Sequence, residues 1–100
     1  MSADSLKQEY IAIGKDKFYR DLLISAFKSL ILISKGGYRG MTPEIEYLEQ
    51  YNQFIILYRR DGDEGHLEIA KIFRKVAHKI YRIMLKKGMT TRNVKFLNSV

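Results

Sequence analysis

The chain has 100 residues, with no cysteine, no tryptophan and one proline. Without cysteine there can be no disulfide, no thiolate nucleophile and no cysteine-ligated metal site. Apolar runs are short. Leu30-Ile31-Leu32-Ile33 has four residues, far below the roughly 20 that a membrane span needs. The opening "MSADSLKQEY" lacks the basic n-region and apolar h-region of a signal peptide, and it is not an Arg-rich, acid-poor transit sequence. The expectation is an intracellular, cytoplasmic protein.

Catalytic signatures are also missing. There is no G-x-S-x-G, no H-E-x-x-H and no P-loop. Asp61, Asp63 and Glu64 cluster, but the D-x-[DN]-x-[DN]-G-x5-E pattern of a calcium loop is not there. These acids read as a turn and a helix cap. The expectation is a non-enzyme with no cofactor and no metal.

Acid is absent from one long stretch. Residues 1–41 hold seven basic and four acidic side chains, and residues 42–68 hold two basic and seven acidic. Residues 69–100 hold nine basic and none acidic, against a whole-chain net charge of +7. Such asymmetry points to an acidic partner, or to a meeting of the two halves within or between copies of the chain. A homodimer that sets the acidic block against the basic one is a natural form of the second.

The apolar pattern is helical throughout, and the length is that of one domain. Tyr19, Leu22, Leu23, Ala26, Phe27, Leu30 and Ile33 recur at three- and four-residue steps, predicting a helix over 16–35. Asp16 is its expected cap, and Gly36 supplies its left-handed end. A shorter segment with Leu6, Tyr10 and Ile13 precedes it, and Gly14 either divides the two or lies inside one long helix. Thr42-Pro43-Glu44 is a strong helix start. Ile45, Leu48, Tyr51, Ile55 and Tyr58 form the following stripe, widened by Tyr47, Phe54 and Leu57. "QFIILY" at 53–58 is rich in strand formers but sits inside this helical pattern. Asp61-Gly62 reads as a turn, and Asp63 caps a helix over about 64–87 that stops at Gly88. Residues 89–100 supply at most one further turn, with Phe96 and Leu97 docked. The predicted class is all-α: a small antiparallel helical bundle, one domain over 1–100, with three main helices plus short terminal helical segments.

The helix at about 64–87 divides sharply. At 100° per residue, Lys71, Arg74, Lys75, His78, Lys79, Arg82 and Lys86 share one arc. Ile72, Phe73, Val76, Ala77, Ile80, Ile83 and Met84 fill the opposite arc, Tyr81 lies at the border, and Leu85 strays among the cations. A solvated face usually mixes signs through Glu-to-Lys pairs. Here only Glu64 and Glu68 are placed to offset Lys71 and Lys75. His66 lies beside the turn acids and is expected to be solvated.

The basic arc therefore marks the expected partner-binding residues. The preferred reading is an interaction or regulatory adaptor that docks an acidic protein surface. The alternative is a nucleic-acid binder that makes phosphate contacts, with Arg39, Arg92 and Lys95 extending the footprint. No helix-turn-helix spacing, zinc motif or RNP motif accompanies it. Insertion into a membrane surface needs a free apolar face, which the core here requires.

Two short resemblances can be weighed. "AHKI" at 77–80 is similar to the start of the histidine-phosphotransfer motif, whose exposed His carries a phosphoryl group. That motif continues with Lys-Gly, whereas this chain reads "YRIML", and Tyr81 and Arg82 crowd the position. "FYRDLL" at 18–23 and "LYR" at 57–59 are similar to fragments of the mitochondrial LYR-motif adaptors, which are also small, basic and helical. The first lacks the leading Leu and the second runs into a turn, so nothing is carried over from that family.

Overall fold

The computed structural model describes residues 3–34 and 43–86. They form four helices: α1 (Ala3–Ile13), α2 (Lys15–Ser34), α3 (Pro43–Asp61) and α4 (Glu64–Lys86). No strand occurs among the described residues, and 53–58 is helical. The predicted all-α bundle is what forms. Its N-terminal segment is a helix of 11 residues in its own right, so the bundle has four helices where three main ones were expected. The expected features at Gly36, Thr42, Gly88 and 89–100 lie outside the described residues.

Gly14 explains the division of α1 from α2. Its φ is +86°, a conformation open to glycine because it has no Cβ to clash. Its N–H donates to the Tyr10 carbonyl at 2.9 Å, which closes α1. Its own carbonyl accepts from the Phe18 N–H at 3.0 Å, which opens α2. One residue thus ends one helix and starts the next. This corrects the expectation that Asp16 caps α2: Asp16 lies within the first turn.

The α3–α4 turn follows the sequence reading. Gly62 takes φ +69°, and its N–H donates to the Tyr58 carbonyl at 2.7 Å. Asp63 caps α4, with its Oδ1 accepting from the Gly65 N–H at 2.9 Å. Asp61 Oδ1 accepts from the Asp63 N–H at 3.0 Å.

Cross-helix partners fix the topology. Lys7 pairs with Asp63, Tyr10 donates to Glu68, and Lys75 sits over Tyr19. Position along the chain rises together in these pairs, so α1 and α2 run along α4 in the same sense. Along α3 the order reverses: Phe54 meets His66 and Phe73, whereas Leu48 clusters with Ala77. The α3–α4 contact is the most extensive in the bundle.

The core centres on Phe73. Its ring stacks on Phe54 at 6.0 Å, meets Phe18 edge-on at 6.1 Å and tilts against Tyr47 at 5.8 Å. Such pairs add about 0.5–1.5 kcal/mol each beyond the area they bury. The apolar arc of α4 turns inward as predicted: Ile72, Phe73, Val76, Ala77, Ile80 and Met84 are buried. Phe18, Leu22, Ala26 and Leu30 of α2 close over it. This four-residue ridge leaves Phe27 at its edge, 38% exposed, so Phe27 is not the core residue the pattern suggested.

His66 is a second correction. It is 8% exposed, packs on Phe54 at 5.8 Å and places Nδ1 3.1 Å from an Asp61 carboxylate oxygen. Helical steps carried back from Phe73 put position 66 on the apolar arc. Packing on that arc overrides the polar company of its neighbours in sequence.

Candidate functional site

Lys71, Arg74, Lys75, Lys79, Arg82 and Lys86 are all exposed, and His78 is half-buried between Arg74 and Arg82. These seven residues, with Tyr19 and Ile83, line one open groove of about 750 Å³. α4 is regular across the whole segment, so each four-residue step advances about 6 Å. The cations from Lys71 to Lys86 therefore span roughly 22 Å along the axis. They form two ridges, Lys71–Lys75–Lys79 and Arg74–His78–Arg82–Lys86. Leu85, 53% exposed, is the large apolar side chain among them.

Little offsets this charge. The ion pairs among the described residues are Lys7–Asp63, Lys17–Asp21 and His66–Asp61, and none includes a cation of the groove. Glu68 lines a pocket with Lys71 and Lys75, but neither Glu64 nor Glu68 forms an ion pair with them. Glu68 accepts from the Tyr10 hydroxyl, and Glu64 accepts from the Tyr58 hydroxyl at 3.4 Å. Both acids are held by tyrosines from other helices. The hydrogen bond to Glu68 is the main reason the Tyr10 hydroxyl is pushed up to about 12, with burial and the Glu68 charge adding to it.

Lys75 makes the one distinct contact in the groove among the described residues: its Nζ lies 4.6 Å from the centre of the Tyr19 ring, in cation–π range. Tyr19 comes from α2 and packs against the core, as its place on the apolar stripe predicts, while its ring also reaches the groove. Only the parallel course of α2 and α4 brings it to the groove wall. A smaller adjoining pocket of about 300 Å³ shares Tyr19, Lys71 and Lys75 and adds Lys15, Asp16, Glu68 and Ile72, so two carboxylates stand near the Lys71 end of the groove without pairing to its cations. No signal local to 70–88 announces these α2 residues. Arg39, Arg92 and Lys95 lie outside the described residues.

His78 is held below the ordinary imidazole range, chiefly by burial and then by the charges of Arg74 and Arg82. Its Nε2 is buried without a hydrogen-bond partner among the described residues. Protonation would place a further cation between two others. In the α3–α4 turn, Asp63 is held low by the hydrogen bond from Lys7 and then by the Gly65 N–H. Asp61 is held low by the Asp63 N–H and by His66. These acids are occupied in shaping the turn. Among the described residues no group of three or more His, Asp or Glu is arranged to hold a metal ion, and no helix is long and apolar enough to cross a membrane.

No family model matches this chain, and no curated protein or solved structure matches it significantly.

Proposed function

We propose that this chain is a non-catalytic interaction protein that docks an acidic partner on the basic face of α4. The observation that carries the reading is the groove's six exposed cations, in a helix with no acid after Glu68 and with no ion pair to any of them among the described residues. Like charges four residues apart on a helix destabilise it by a few tenths of a kcal/mol per pair. Lys71–Lys75, Lys75–Lys79 and Arg82–Lys86 all carry that cost. A face selected only for solubility would relieve it by mixing signs. A docked anion relieves it instead, and turns the repulsion into binding free energy.

A titration with a soluble polyanion at low salt tests this. The chain should bind, and the double variant Lys75→Glu, Lys79→Glu should lose at least tenfold in affinity while its helical circular dichroism is unchanged. Equal binding by the variant, or no binding by the parent chain, would refute the reading.

A further inference from the structure

We infer that the acidic partner is the phosphodiester backbone of a nucleic acid. The inference rests on the docking reading and adds the chemical class of what is docked. Four of the groove's six cations are lysines, and the arc offers one exposed large apolar side chain, Leu85. Protein–protein interfaces are built the other way. They are depleted in lysine at their centres and hold on through buried aromatic and apolar anchors. The exposed large apolar residues of α2, Ile24, Phe27, Ile31 and Leu32, do not line the groove. Nucleic-acid interfaces are polar and strongly positive, as this face is.

The spacing fits as well. Cations recur along each ridge at about 6 Å over roughly 22 Å. A duplex carries one phosphate charge per roughly 1.7 Å of its axis, both strands counted, so that length holds about a dozen phosphates, of which those on the facing side are available to the cations. The groove is open along its length, as a continuous backbone requires. It needs no matched pattern of separate carboxylates.

Counterion release makes the inference measurable. If all six cations neutralise phosphates, log K should fall with log salt at a slope of about −5 for duplex DNA and about −4 for a single strand. Fluorescence anisotropy would be recorded on the whole chain with labelled duplex DNA, labelled single-stranded RNA and labelled polyglutamate of matched charge. The expected result is nucleic-acid binding with such a slope, at least tenfold tighter than polyglutamate. The variant Lys75→Ala, Lys79→Ala should bind more weakly, with its slope shallower by about 2 on duplex DNA and about 1.4 on a single strand, and circular dichroism confirms that it is folded. The tighter of the DNA and RNA arms then identifies the source of the backbone.

Polyglutamate binding as tight as nucleic acid would overturn the phosphate assignment and leave the docking reading standing. Nucleic-acid binding that the double variant does not alter would place the backbone on another surface, which also overturns the inference. Failure of all three polyanions to bind at low salt would remove the inference and the docking reading together.

Discussion

Replacing Gly14 with alanine gives a result whose sign depends on the backbone. An ideal Cβ at Gly14 meets nothing within 4 Å, so sterics with the rest of the chain contribute nothing. What remains is the φ of +86°. Holding an L-residue in the left-handed region costs roughly 1–2 kcal/mol. Stiffening the unfolded chain returns roughly 0.4–1 kcal/mol. The net expectation is a loss of about 1 kcal/mol, which lowers Tm by roughly 4–8 °C in a domain of this size. If 3–34 were one continuous helix, the sign would reverse, because alanine is about 1 kcal/mol better than glycine in a helix interior. Thermal unfolding followed by circular dichroism, with urea titration to obtain the free energy, separates the two. Gly14→Asn should lose less than Gly14→Ala, since asparagine tolerates the left-handed region. A Gly14→Ala chain as stable as the parent, or more stable, would show that the α1–α2 break is wrong.

Two further outcomes follow from the core and from the groove. Phe73→Ala should cost about 3–5 kcal/mol, a large share of the stability of a small domain, because the ring bridges α2, α3 and α4. Phe73→Leu should cost less and keep the fold, and the shift of the urea midpoint checks both. The His78 ring is held below its ordinary range, so the free protein favours the neutral form. Its contribution to stability is full above the unfolded value near 6.5 and is lost as pH falls. The urea midpoint should therefore drop between about pH 7 and pH 5, while polyanion affinity rises over the same interval because a bound anion stabilises the imidazolium. His78→Gln should flatten both profiles, and a parent chain whose affinity ignores pH would contradict the placement of His78 in the docking face.

Much of this structure is legible from residue spacing because α4 separates its two faces cleanly. One angular step per residue places Phe73 and Met84 inward and Lys75 and Arg82 outward, with no knowledge of what packs where. The turn at Asp61, Gly62 and Asp63 is legible because its chemistry is local: a left-handed glycine and a capping carboxylate. His66 was misread for the converse reason. Its polar neighbours are local, but its burial comes from Phe54 across the bundle. Phe27 sits at the edge of an apolar stripe wider than the contact it makes, and only the position of α4 decides which of its residues are covered. The α2 wall of the groove is illegible for the same reason. Tyr19 reaches Lys75 because two helices far apart in the chain run side by side in one sense, and nothing within either helix encodes that.

The central position of α4 also has a consequence for how the molecule comes into being. α1, α2 and α3 all pack on it, and the links from α1 join residues 56 and 58 positions apart. A ribosome makes α4 after the three helices that need it. Until Ile69 to Met84 have been synthesised, Leu6, Phe18 and Phe54 have no common centre to enter. Until then the growing chain lacks the helix on which its interior is built. When α4 joins, the interior closes and its cations, already in water, are fixed into one row. The same helix thus carries the centre of the core on one face and the proposed docking row on the other.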